Sequence, residues 1–362
     1  VTVCARETGP ATPLDQTNHR STPTSASPYH PMKVLVVGTG SIGKRHIGNL
    51  LELGAEVQAY SYRPDAQTLD PRVTRVPDLA ASLASDVHAV VVANRTDQHM
   101  DVALQAACAG KHLFLEKPLA ASMAGVGELV ATVQRKGLVV EAGFMLHSHP
   151  NLLWIRDQLA QGLLGEIWHM RAAVGQWLPD WRPGTDHRQG YGALKALGGG
   201  VTFDLIHELD LVQWLLGPVA DVTAMMRQAA ALEIETEAVA QIGLQLASGA
   251  LAQVHLDYLR PGYGREMEIV GRRGVLRWDY VQGVVTLEEA GQAPREVHRV
   301  PDGFVRNHLF LTHMRHFLQR LQSPTLPASS PLDEAVAVLQ VALAAHRSAQ
   351  QRQHVRPSDL QG

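Results

Sequence analysis

From Lys33 to Ala142, apolar residues fall in short unbroken runs separated by longer stretches of helical period. Lys33–Val37, Val57–Tyr62, Val87–Val92, His112–Leu115 and Leu138–Ala142 predict strands. Such β-branched runs without polar alternation suit strands buried on both faces. Helices are expected through Leu53 after the first run, then over Asp97–Ala109 and Ser122–Lys136. Strand and helix in alternation predict a doubly wound parallel sheet, an α/β fold.

Beyond His149-Pro150 the pattern changes. A helix over Leu152–Gln161 and a strand over Glu166–Val174 lead into a loop rich in Gly, Trp and Pro, from Gly175 to Gly200. A helix is expected over Phe203–Leu216. Alternating runs follow at Val219–Arg227, Ala238–Leu246, Ala250–Tyr258, Glu266–Val270, Val275–Tyr280 and Val284–Glu288, with Gly271, Gly274 and Gly283 as turns. This is an α+β region built on an open, mainly antiparallel sheet. Helices over Phe304–Leu321 and Leu332–Ala349 close the chain, and no internal repeat is visible. The resulting division is a tail (1–31), a nucleotide domain (32–149), a substrate and oligomerisation domain (150–330), and a final helix with its tail (331–362).

Composition narrows the function classes. The chain has 362 residues, 45% hydrophobic and 19% charged, enough apolar mass for two cores. A net charge of −3 argues against a nucleic-acid binder or a polybasic membrane anchor. No apolar run reaches the roughly 20 residues that span a bilayer. The two cysteines, Cys4 and Cys108, make no disulfide framework and fit a reducing cytoplasm. Without CxxC or HExxH spacing, no metal site is expected. Residues 1–31 are polar and lack an apolar signal-peptide core, so disorder is expected there. Met32, just before the first strand, suggests an upstream start choice for this tail, with a genuine flexible extension as the alternative.

Gly38-Thr39-Gly40-Ser41-Ile42-Gly43 stands between a strand and a helix, the context a dinucleotide turn requires. The first glycine makes the turn, the second lets backbone approach a pyrophosphate, and the third lets the helix pack closely. A glycine turn without a nucleotide is the alternative reading. The second strand ends in Ala59-Tyr-Ser61-Tyr-Arg63, with no acid before Asp65 to take ribose hydroxyls. Ser61 and Arg63 suit a 2′-phosphate, so NADP is favoured, with NAD as the alternative.

Two further constellations carry chemistry. Glu116-Lys117-Pro118 follows the fourth strand, where a lysine can reach a ligand bound beyond the strand ends. Gly198–Asp210 sets Asp204 and His207 at helical spacing on one face, and a histidine on the polar side of a docked helix would titrate near neutrality. A packing role for His207 is the plainer alternative. In the long loop, Trp181, Arg182, His187, Tyr191 and Lys195 can line a sugar site or equally a subunit rim.

Taken together, these motifs resemble the glucose–fructose oxidoreductase / inositol dehydrogenase / MocA-type (Gfo/Idh/MocA) family of NAD(P)-dependent dehydrogenases. The resemblance runs from Lys33 to about Arg352. It rests on Gly38-x-Gly40-x-x-Gly43-x-x-His46, Asn94-x-Thr96-x-x-His99, Gly110–Pro118, Gly198–Asp210 and Glu268–Asp279. It implies a Rossmann domain followed by the α+β domain, with Asn94, Thr96, His99 and Glu116 around the cofactor. Lys117 would lie beside the nicotinamide and His207 would be the usual proton acceptor. The family's commonest pattern has its Asp four residues before the His, whereas Asp204 stands three before His207. The His-Glu-Leu-Asp form resembles a subgroup associated with surface-polysaccharide sugars. Where the family often has an aromatic-arginine step, this chain has His147-Ser148. The resemblance also implies a homodimer or homotetramer formed through the open sheet, and a final helix that packs back on the nucleotide domain.

The expected function is hydride transfer between nicotinamide and a secondary alcohol or ketone of a sugar, polyol or nucleotide sugar. Either His207 or Lys117 could take the proton. An imine or enone reductase on the same fold and a noncatalytic NAD(P)-binding sensor are the competing readings.

Overall fold

The computed structural model describes residues 32–62, 69–182 and 184–360. The first domain runs β1 (Lys33–Val37), α1 (Ser41–Glu52), β2 (Glu56–Tyr60), β3 (Thr74–Arg75), α2 (Leu79–Ala84), β4 (Ala89–Val92), α3 (His99–Cys108), β5 (His112–Leu115), α4 (Val126–Lys136) and β6 (Val140–Ala142). The six strands are parallel in the order β3-β2-β1-β4-β5-β6. Every residue of β4 is buried, as its unbroken Ala-Val-Val-Val run predicts. Strand order reverses between β1 and β4, and ligands of such sheets bind beyond the strand ends at that point. The helix expected from Ser122 begins only at Val126. Gly125 adopts a left-handed φ of 77°, which an advancing α-helix cannot contain. The short β3 and α2 were not apparent from the apolar pattern.

The second domain contributes α5 (Pro150–Ala160), β7 (Ile167–Gly175), α6 (Val201–Asp204), α7 (His207–Leu216), β8 (Val219–Arg227), β9 (Val239–Leu246), β10 (Leu251–Asp257), β11 (Gly264–Gly271), β12 (Gly274–Asp279), β13 (Val284–Glu289) and β14 (Arg295–Arg299). Its eight strands run β14-β13-β12-β11-β7-β10-β9-β8, all neighbours antiparallel except β7 and β10. The sheet is therefore mixed, though mainly antiparallel as expected, with β14 an additional edge strand. The single helix expected over Phe203–Leu216 is two. Leu205, at φ −103° and ψ 31°, leaves helical geometry and separates α6 from α7.

Two helices close the chain, α8 (Asn307–Gln322) and α9 (Leu332–Gln351). Met314, Phe317, Leu318 and Leu321 of α8 pack with Val34, Val36, Ile47 and Phe114 of the first domain. Burial of each such side chain contributes about 2 kcal/mol. The final helix lies mainly on β8 and α7, with Ser348 Oγ accepting from Ala224 N at 3.0 Å, and touches the first domain at α4 and β6. So the helix expected to cover the nucleotide domain is α9, whereas α8 provides most of that cover. The apolar stripe of α8 matches the open face of the parallel sheet, and the chain re-enters the first domain before residue 331.

Candidate active site

The glycine turn after β1 has the geometry its sequence requires. Gly38 has a φ of +102°, and a Cβ there would lie 2.5 Å from Ala93 O. A Cβ on Gly43 would collide with the Gly38 carbonyl, so the third glycine seats α1 against the turn. A Cβ on Gly40 would meet no protein atom within 4 Å. The turn thus presents bare backbone to open space at the start of α1, which has no side-chain cap and no acid in its first turn. A helix start left unneutralised in this way suits a pyrophosphate. Asn94 lines the same cavity, and neither polar atom of its buried side chain has a partner. Both observations fit a dinucleotide.

The Glu116-Lys117-Pro118 segment is braced from two sides. Glu116 Oε1 lies 2.6 Å from His46 Nε2 on α1. Burial works against the Glu116 charge, but this hydrogen bond and the His46 and Lys117 charges hold its pKa below the ordinary value. His99, at the start of α3, bridges the carbonyls of Pro118 (2.9 Å) and Asn94 (3.1 Å). So His46, Glu116 and His99, all buried, position the turn that carries Lys117. The Lys117–Pro118 peptide is cis. Lys117 Nζ donates to the Asp204 carbonyl at 2.7 Å, linking the first domain to the second.

A cavity of about 460 Å³ opens between the domains, within the usual size range for a small-molecule site. It is lined by Ser41, Ile42, Asn94, Thr96, His99, Glu116 and Lys117 from the first domain. Trp181, Arg182, Tyr191, Asp204 and His207 line it from the second. Thr39, within the turn, is buried, and Ser61 follows the end of β2. Arg63 lies outside the described residues. Two of the loop residues expected here are elsewhere: His187 Nε2 is hydrogen-bonded to Leu232 O at 3.0 Å, and Lys195 is exposed, its backbone N–H donating to Glu235. The loop folds as a series of short 3-10 turns, so side chains close in sequence diverge.

The Asp204 carboxylate accepts from two phenols, Tyr191 Oη and Tyr258 Oη, the latter at 2.6 Å. Burial and the Asp204 charge raise both phenol pKa values well above normal, so both remain donors. Asp204 therefore organises the loop and β10 around the cavity, and offers its main-chain carbonyl to Lys117.

His207 departs from the expectation that it would titrate near neutrality. Its side chain is buried, its Nδ1 has no partner, and Lys117, Arg265 and Arg306 surround it with positive charge. Burial first, then those cations, depress its pKa well below the usual value and keep it neutral. Burial also lowers the Lys117 pKa, while Asp204 and Glu116 oppose that shift.

Several lining residues were missed in the sequence. Arg45, Tyr263, Arg265 and Arg306 all reach the cavity, and Tyr258 and Glu208 support it. Arg265 carried a legible signal, a charged residue at a buried position in a strand. Glu208 answers it with an ion pair of 2.7 Å.

Residues 32–144 match the model of the oxidoreductase family with an NAD-binding Rossmann fold, and residues 152–277 match the GFO/IDH/MocA C-terminal domain. The chain belongs to the Gfo/Idh/MocA oxidoreductase family. Among its relatives is the myo-inositol 2-dehydrogenase of Thermotoga maritima, 24% identical over 91% of this chain and all of that protein. Another is the 1,5-anhydro-D-fructose reductase of Ensifer adhaerens, 28% identical over 60% of this chain and 66% of that one. GenD2 from gentamicin A biosynthesis, solved in complex with NAD, superposes with a TM-score of 0.76 at 26% identity, covering 92% of this chain and 99% of its own. As a member of this family the chain is an NAD-binding oxidoreductase, with inositol dehydrogenases and an anhydrofructose reductase among its relatives.

Proposed function

We propose that this family member interconverts a secondary alcohol and a ketone on a sugar, polyol or nucleotide sugar. The observation that carries the reading is the meeting of Lys117 with Asp204 and His207 in one cavity that also reaches the glycine turn. A sensor that only binds a dinucleotide needs neither a half-buried cation nor a neutral imidazole at that lining. The inositol and anhydrofructose relatives support a polyhydroxylated substrate.

When bound, the nicotinamide supplies the two-electron chemistry by exchanging a hydride with carbon. The chain's own residues manage proton and charge. His207, neutral, accepts the hydroxyl proton in the oxidative direction. Lys117, as an ammonium steadied by the Asp204 carbonyl, donates to the developing alkoxide. Tyr191 donates its hydroxyl hydrogen bond to Asp204 and leaves oxygen lone pairs for a substrate hydroxyl, while Trp181 offers an apolar wall. One observation favours a second assignment: burial lowers the Lys117 pKa, which would let its amine take the proton.

NADP is assigned as the preferred dinucleotide, with NAD as the alternative. The absence of a carboxylate at the end of β2, Tyr60-Ser61, supports this. The exposed thiol of Cys108 supports a reducing, cytoplasmic setting. The test is hydride transfer with NADP and NAD across a panel of sugars, polyols and nucleotide sugars, using wild type and Lys117→Ala. Turnover by the wild type that the variant loses supports the reading. Tight dinucleotide binding without turnover in either direction would favour the sensor, and a higher kcat/KM with NAD would remove the NADP preference.

A further inference from the structure

We propose that Arg45, Arg265 and Arg306 form an anion subsite at one side of the cavity, and that the substrate carries a carboxylate or phosphate group. This rests on the dehydrogenase reading of the same cavity and narrows its substrate class.

All three arginines line the cavity. Arg45 and Arg306 converge on one ring, their guanidinium carbons 4.5 Å and 5.9 Å from the centroid of Phe310. Among the described residues neither has a carboxylate partner, whereas Arg265 is paired with Glu208. Two like charges drawn together at a buried ring repel each other. Burial and the Arg306 charge accordingly depress the Arg45 pKa. Arg306 also stands at the N-cap of the 16-residue α8, whose first turn holds no acid. A cation at a helix N-terminus is electrostatically unfavourable for the folded chain. The arrangement costs stability unless an anion occupies it.

The other charges at the cavity relieve this excess only in part, Glu116 acting on Arg45 without an ion pair. Arg95 is bonded to Asp97 at 2.8 Å. The two acids of the lining are engaged, Glu116 with His46 and Asp204 with Tyr191 and Tyr258. A concave site with unmatched positive charge concentrates anions and draws them in.

The dinucleotide pyrophosphate is the competing occupant. The glycine turn and the start of α1 already provide for it. Arg265 approaches from β11 of the other domain and is paired with Glu208, the residue after His207 on α7. The fields of Arg265 and Arg306 act on both Lys117 and His207. Both arginines thus lie within electrostatic reach of the reacting pair, and Arg265 is supplied by the substrate domain. The forked guanidinium matches planar carboxylates and phosphates alike.

The test measures binding of D-glucuronate, D-glucose 6-phosphate and D-glucose to the full chain saturated with reduced dinucleotide, by calorimetry. At least one of the two anionic sugars should bind about tenfold or more tightly than D-glucose, and which one does so distinguishes carboxylate from phosphate. Arg306→Ala, at an exposed position that should not disturb folding, should bring anionic and neutral sugars close to parity. It should change dinucleotide affinity by less than about threefold. Equal binding of all three sugars by the wild type, or no binding of either anion, overturns the proposal. So does an equal loss of dinucleotide affinity in Arg306→Ala and Arg45→Ala, which would assign the arginines to the pyrophosphate. Hydride transfer is followed separately by nicotinamide absorbance. Arginine-dependent anion binding with no transfer to or from any panel member would sink the dehydrogenase reading and leave the subsite standing. Transfer with neutral sugars, indifferent to the arginines, would do the reverse.

Discussion

His147 and Asp210 form a buried pair, with His147 Nε2 3.0 Å from Asp210 Oδ2, that joins the end of the parallel sheet to the helix carrying His207. The other ring nitrogen of His147 lies 2.8 Å from the Ser329 carbonyl. A ring with a carboxylate at one nitrogen and a carbonyl at the other donates from both only as an imidazolium. The ring stacks on Trp214 at 4.2 Å and on Phe144, whose edge meets His207 at 5.9 Å. The pair thus puts a titratable group at a domain junction.

Stability should therefore fall on the alkaline side. Burial opposes the His147 charge, but the Asp210 carboxylate outweighs it and raises the His147 pKa, with Glu334 of α9 adding to the effect. A raised folded pKa means the contribution is complete below about pH 6.5, the unfolded value, and is lost as pH rises through the folded one. His313 of α8 also acts electrostatically on Asp210. Melting temperature followed from pH 6 to pH 9 should drop more steeply for wild type than for His147→Gln. Asp210→Asn should cost about 3 kcal/mol at neutral pH, the scale for breaking a buried ion pair. Parallel melting curves for wild type and His147→Gln would refute this account.

Lys117→Ala should lower kcat by about a hundredfold to a thousandfold, the usual loss on removing an alkoxide-stabilising donor. Dinucleotide affinity should change little, because Glu116, His46 and His99 still hold the turn. Steady-state kinetics and dinucleotide titration check the two halves. A variant that loses dinucleotide binding and turnover together would mean the lysine serves the cofactor alone.

The pH profile of oxidation separates the two proton acceptors. With His207 as acceptor, its depressed pKa predicts that kcat/KM stays level down through neutrality and declines only well below pH 6.5, and that His207→Asn lowers the plateau by about 10² to 10⁴. With Lys117 as acceptor, activity instead climbs above neutral pH, toward a lysine pKa that burial has lowered. An alkaline rise that persists in His207→Asn would transfer the role to Lys117.

Tyr258→Phe should destabilise the folded chain by about 1–3 kcal/mol, since the buried Asp204 carboxylate loses one of its two phenol donors. KM should rise more than kcat falls, as the donor it removes orders Tyr191 and Asp204 rather than the reacting atoms. Urea unfolding and steady-state kinetics measure these effects. An unchanged KM would show that the Asp204 network does not shape the substrate wall.

One face of the eight-stranded sheet leaves Met225 75% and Leu251 56% exposed, on β8 and β10, the two strands that flank β9. That face is expected to pair with a second copy of the chain. Light scattering should give a dimer or tetramer for wild type, and Met225→Glu should shift it toward monomer. A monomeric wild type would exclude this interface.

The parallel sheet, the glycine turn and the positions of Lys117 and His207 were legible in the sequence. Each follows from interactions between residues close along the chain. Unbroken apolar runs bury both faces of a strand, and only glycine tolerates the left-handed φ of Gly38 or the close approach at Gly43. The break at Leu205, the parallel pairing of β7 with β10, and the turning away of His187 and Lys195 were not legible. They depend on what packs alongside, which spacing does not record. The protonation of His207 belongs to the same class. Sequence placed an imidazole near a lysine, but its burial and the field of Arg265 and Arg306 exist only once β11 and α8 have folded around it. Local sterics thus settled the elements and the places of Lys117 and His207 along them. Desolvation and charges distant in sequence, brought together by the tertiary structure, decided what those positions can do.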